Sequence, residues 1–122
     1  MKTISPNDVH RVMRSILPTK NDDYPSDYKN ETDELLHFGI KTEEQFAALL
    51  SKHKEKLIEI DQSPLDEADR QMFIEDYGLE YVLKREEIGY WFSYPALLRI
   101  SLELEFGEEY ESYSNIRDNI TK

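Results

Sequence analysis

The sequence predicts a mainly α-helical fold, a compact single-domain bundle of about five to six helices over residues 1–122. Three observations predict it. Apolar residues recur at helical spacing through most of the chain, capping residues stand where those runs begin, and glycine or proline stands where they end. A length of 122 residues suits one domain and is enough to close a single core without staples. The periodicity also argues against disorder, although 34% of residues are charged and the mean hydropathy is −0.72.

Ser5-Pro6-Asn7-Asp8 reads as a helix start: Ser5 caps, Pro6 fits the first position and Asp8 favours the positive end of the dipole. Val9, Val12, Met13, Ile16 and Leu17 then share one face, and Pro18 ends the helix. Residues 18–30 read as a loop. Asn30 is placed to cap a short helix through Leu35, Leu36 and Phe38 that stops at Gly39. Thr42 and Gln45 form a capping-box pattern. The helix after them, about residues 43–60, sets Phe46, Leu49, Leu50, Leu57 and Ile58 along one stripe. Ser63 and Pro64 read as the cap and first position of a fourth helix, which carries Leu65, Ala68, Met72 and Tyr77 and stops at Gly78. Leu79 to Ile88 reads as a further helix, with Leu79, Val82 and Leu83 on one face.

Residues 97–106 carry two signals. Leu98, Ile100, Leu102, Leu104 and Phe106 alternate with polar residues, as in a short β element. Leucine and glutamate favour helix, Pro95 suits a first turn and Gly107 a stop. The helix reading is preferred and turns Leu97, Leu98, Ser101 and Leu104 inward. Residues 108–122 begin as a helix, with a frayed C-terminus expected over 114–122. Tyr90 to Tyr94 read as core, with Trp91 as an anchor.

Charge is the strongest functional signal. The chain holds 26 acidic and 15 basic side chains, a net charge of −11. The first 20 residues total +3, so the other 102 carry −14. Glu103, Glu105, Glu108, Glu109 and Glu111 fall within nine residues that hold no basic side chain. At the end of a helix the negative dipole would repel them, which makes them candidates for contact with a basic partner. Tyr110 and Tyr113 interleave them, a composition suited to an interface that receives lysine and arginine. Asp22, Asp23 and Asp27 form a second acidic candidate in the first loop. Acidity argues against nucleic acid and against anionic membranes as partners. No apolar run reaches the roughly 18 residues of a membrane span, and the N-terminus lacks an apolar leader segment. The absence of cysteine excludes a disulfide framework and suits a cytoplasmic location.

Catalytic signatures are missing. There is no Gly-x-Gly-x-x-Gly, no phosphate-binding loop and no Gly-x-Ser-x-Gly. Glu34-Leu35-Leu36-His37 matches the Glu-x-x-His pair of di-iron bundles, but a second pair is lacking, so His37 reads as a boundary residue and no metal is expected. Asn21-Asp22-Asp23 lacks the glycine and terminal glutamate of a calcium loop. No cofactor and no catalytic residue is expected.

A small, cysteine-free, acidic, helical chain of this kind resembles a bacterial immunity protein, nearest in character to the CdiI-like immunity proteins of contact-dependent growth inhibition systems. The residues behind the resemblance are the Glu103–Glu111 cluster with Tyr110 and Tyr113, and the acids of residues 22–34. The resemblance implies tight binding of one cognate toxin domain, often a nuclease, in the producing cell. Nuclease clefts are basic, so an acidic surface would speed association and occlude the cleft or an adjacent surface. A monomer binding 1:1 is expected. The alternatives are an acidic helical adaptor or regulatory protein, an antitoxin acting as a nucleic-acid mimic, and a small carboxylate enzyme.

Overall fold

Short-range capping starts two of the main helices. In the computed structural model, which describes residues 2–18, 27–63 and 65–121 with side chains as far as Ile116, α1 (Pro6–Ile16) opens on a reciprocal cap. The Asp8 N–H donates to Ser5 Oγ at 3.3 Å, and the Ser5 N–H donates to Asp8 Oδ2 at 3.0 Å. Thr42 and Gln45 repeat the device at the start of α3 (Glu43–Gln62). Arg11 bridges Asp8 and Glu43, tying the two starts together. The Ser5 N–H, the Ser5 hydroxyl and the Arg11 guanidinium hold the Asp8 carboxyl well below the usual carboxylate range.

Two predicted caps are corrected. The helix α2 (Lys29–His37) begins before Asn30, and Tyr28 occupies its N-cap position without a side-chain cap. Tyr28 has a positive φ of 61°, a conformation that costs a non-glycine residue roughly 1 kcal/mol. Tertiary contacts hold it there: its buried ring stacks on His10 at 4.7 Å, and its carbonyl accepts from Thr32 Oγ1 at 2.6 Å. Ser63 closes α3 instead of opening α4 (Glu67–Tyr77), which is capped by Asp66 through the Asp69 N–H at 2.8 Å. Asn21, Asp22, Asp23 and Pro64 lie outside the described residues.

After α5 (Leu79–Ile88) come α6 (Tyr94–Phe106) and α7 (Glu108–Thr121). Seven helices thus form among the described residues, above the expected five to six. Residues 97–106 are helical and no strand occurs among the described residues, so the β element is excluded there. Pro95 lies in the first turn of α6, and Gly107 ends it. Leu97, Leu98 and Ser101 turn inward as expected, but Leu102 takes the inward place assigned to Leu104, which is 38% exposed.

Packing follows from these faces. The long α3 packs against both α1 and α6, with α2 touching both α1 and α6, and α7 packed on α6. Met13, Leu35, Phe46, Leu50 and Leu98 are fully or almost fully buried in the shared core. By contrast α4 and α5 pack chiefly against each other, and α4 buries no residue. Met72 and Tyr77, which the sequence reading set on the fourth helix with Leu65 and Ala68, are exposed. Trp91 is buried as an anchor, with Phe73 of α4 6.2 Å from it between ring centres. Its N–H donates to both the main-chain and the side-chain oxygen of Asp61, at 2.9 and 3.0 Å. Among the described residues no helix is long and apolar enough to cross a membrane.

Candidate functional site

Gly107 makes the candidate site. It stands between α6 and α7 with φ 54° and ψ −118°, a backbone region that side chains other than glycine's lack of one resist. Its N–H donates to the Glu103 carbonyl at 2.8 Å, and its carbonyl accepts from the Tyr110 and Glu111 N–H groups at 3.1 Å. The chain therefore turns a corner inside the acidic cluster. Glu103 and Glu105 close α6, whereas Glu108, Glu109 and Glu111 open α7. This overturns the expectation that the helix dipole repels the whole cluster. In the first turn of α7 the positive end of the helix dipole favours Glu108, Glu109 and Glu111.

The cluster divides further. Glu105 has local partners: Lys52 Nζ lies 2.9 Å from its carboxylate and His53 Nε2 lies 2.8 Å from it. Lys52 first, then His53, draw the Glu105 carboxyl below its ordinary range. Glu103, Glu108, Glu109 and Glu111 remain exposed. Two of them, Glu103 and Glu111, line a surface concavity of about 300 Å³ with Tyr110, Ser114 and Asn115. The residues that line it carry carboxylate, hydroxyl and carboxamide oxygens, acceptors of the kind suited to a guanidinium or ammonium group.

The tyrosines serve the fold more than the surface. Tyr110 is only 6% exposed, and its hydroxyl donates to Glu34 Oε1 at 3.0 Å, so it forms the floor of the hollow and not a projecting contact. Tyr113 is half-buried and stacks at 4.3 Å on His37, the last residue of α2. Asp27 is exposed and accepts from the Lys29 N–H at 3.0 Å ahead of α2; it does not line the hollow.

Sequence reasoning did not reach Ser114 and Asn115. Their signal was available, because they follow Glu111 at i+3 and i+4 on one helix face. It also missed the buried ionic network beneath the hollow. Glu34, 1% exposed, accepts from Arg99 Nε at 3.1 Å, and Glu31 accepts from Arg99 Nη2 at 3.3 Å. The Glu34 carboxylate of the Glu-x-x-His match is thus engaged by an arginine and a phenol. Among the described residues no group of three or more His, Cys, Asp or Glu is placed to hold a metal ion.

Two carboxyls with lowered pKa make stability depend on pH with a definite sign. For Asp8 and Glu105 the folded state holds its proton less tightly than the unfolded chain. Their contribution is complete above about pH 5 and is lost as pH falls below about 4. The melting temperature, followed by circular dichroism, is expected to fall less steeply as pH drops below about 4 in Asp8→Asn than in the parent chain. Equal slopes would remove Asp8 from the effect.

Comparison with protein-family models, with curated proteins and with solved structures finds no match.

Proposed function

We propose that this chain is an immunity protein that binds and neutralises a cognate basic toxin domain in the cytoplasm, with the α6–α7 hollow as the first point of contact. The observation that carries the proposal is the exposed pair Glu103 and Glu111 lining one surface hollow, in a chain of net charge −11. A negative surface steers a positive partner during approach, and the hollow offers acceptors for an arginine or lysine side chain once the two meet. The fixed corner at Gly107 supports this reading, since a preorganised surface loses less entropy on binding. Occlusion of a nuclease cleft is the mode that suits these charges, because such clefts are lined with the cations that bind phosphate.

The first test is gene order: a basic toxin domain should be encoded immediately upstream of this chain, and that domain is then the partner to use. Co-expression should protect the cell, and the two proteins should co-purify. Glu103→Lys with Glu111→Lys is expected to slow association by about 10- to 100-fold at low salt. For the parent chain, association should weaken steeply as salt is raised. A salt-insensitive association rate, or unchanged association by the charge-reversed chain, would overturn the docking site. Binding to a basic partner without protection would favour an acidic adaptor instead.

A further inference from the structure

Four of the six large apolar side chains exposed among the described residues lie on α4 and α5: Met72, Tyr77, Leu79 and Leu83. Each is half or more exposed, from 50% for the two leucines to 61% for Tyr77. Core formation does not explain them. The inward side of α5 is made by Val82 and Arg85, which are buried, with the Arg85 guanidinium 4.6 Å over the Tyr81 ring. Leu79 and Leu83 stand one turn apart and form a second apolar stripe beside that inward side.

Charge specifies what can cover the stripe. From Asp66 to Ile88 there are eight carboxylates against three cations, a net charge of −5. Helical geometry sets Glu80 and Glu87 along one flank of Leu79 and Leu83, with Lys84 one position further round, and Glu86 along the other flank. Glu86 is bound to Arg70 at 3.0 Å. A second copy of this chain would bring the same negative charge against itself. A partner with leucine-like side chains between lysines or arginines would satisfy both the stripe and its rim.

We propose that the α4–α5 face is a docking surface for a cationic amphipathic helix of a partner protein. A bound amphipathic helix presents apolar anchors at i, i+3, i+4 and i+7, which can pack against Leu79 and Leu83. The sign of the charge comes from α4 and α5 themselves, so the inference stands whether or not the α6–α7 hollow binds a toxin.

The probe is a synthetic amphipathic helix of leucine and lysine, about 18 residues long, or roughly five turns. A peptide with glutamate in place of lysine is the control. The leucine–lysine peptide should bind the full chain, measured by fluorescence anisotropy, and the leucine–glutamate peptide should not. Leu79→Ser with Leu83→Ser should weaken binding at least about tenfold, as expected for removal of central apolar anchors. Circular dichroism and Trp91 emission should show that this variant remains folded. Glu103→Lys with Glu111→Lys should leave peptide binding unchanged, which separates this face from the hollow. Absence of binding, equal binding of the two peptides, or indifference to the double serine change would overturn the proposal. So would concentration-dependent dimerisation of the parent chain that the serine variant abolishes, since a second copy would then be the occupant.

Discussion

Replacing Arg99 with leucine is expected to lower folding stability by about 3 kcal/mol, the lower end of the range for breaking a buried ion pair. The reason lies in what stays behind. Arg99 donates to Glu34 and Glu31, which are 1% and 5% exposed. Leucine removes the cation and leaves both carboxylates inside. The Arg99 side chain is itself one-third exposed, so solvent screens part of the loss. For a chain of 122 residues such a loss corresponds to a fall in melting temperature of roughly 10 °C. Arg99→Leu combined with Glu34→Leu should cost less than the two single changes summed, because the pair is then removed together. Thermal unfolding by circular dichroism reads all three variants. A fall of under about 2 °C for Arg99→Leu would show that the network does not hold α2 to α6.

Asp61→Ala is expected to cost about 2–3 kcal/mol, the scale of hydrogen bonds to a charged acceptor. Asp61 is 2% exposed at the end of α3, and its Oδ1 accepts from the Trp91 and Phe92 N–H groups at 3.0 and 2.6 Å. Alanine leaves the Phe92 donor without that acceptor and loosens the segment that carries Trp91. Asp61→Asn keeps an oxygen at the same place and should recover most of the loss. The single tryptophan supplies the readout: its emission should shift to the red in Asp61→Ala and hold near the parent value in Asp61→Asn. Identical stability and emission in both variants would remove this carboxylate as the anchor.

The parts of the fold legible in the sequence are those decided by neighbours along the chain. Ser5 with Asp8 and Thr42 with Gln45 are caps that need only three residues of separation, and both form. Val9, Val12 and Met13 declare their face by spacing alone and are buried. Where distant residues decide, the reading failed. Tyr28 holds a left-handed backbone because His10 stacks on it, and no local rule favours that conformation for tyrosine. Met72 has the spacing of an inward residue, yet α4 has little beside α5 to pack against.

The candidate site shows the same division. Glu103 and Glu111 were visible because charge is visible, and both line the hollow. Tyr110 was assigned outward from its acidic neighbours, but its partner is Glu34, distant in sequence. The dipole argument erred because it treated Glu103 to Glu111 as one helix end. A stop at Gly107 followed at once by α7 converts part of that end into a beginning.

The contact between Asp61 and Trp91 has a topological consequence. The chain leaves α3 at Gln62, builds α4 and α5, and returns to touch its point of departure, 2.9 Å from the Trp91 nitrogen to the Asp61 carbonyl. Val82 and Trp91 are buried outside the main core, so the excursion has an interior of its own. In terms of chain path α4–α5 is an insert, whose ends are already joined in space. Such a segment can be exchanged, lengthened or re-surfaced with little strain on the helices that carry it. One scaffold could thereby present different faces to different partners while α1, α2, α3, α6 and α7 stay as they are.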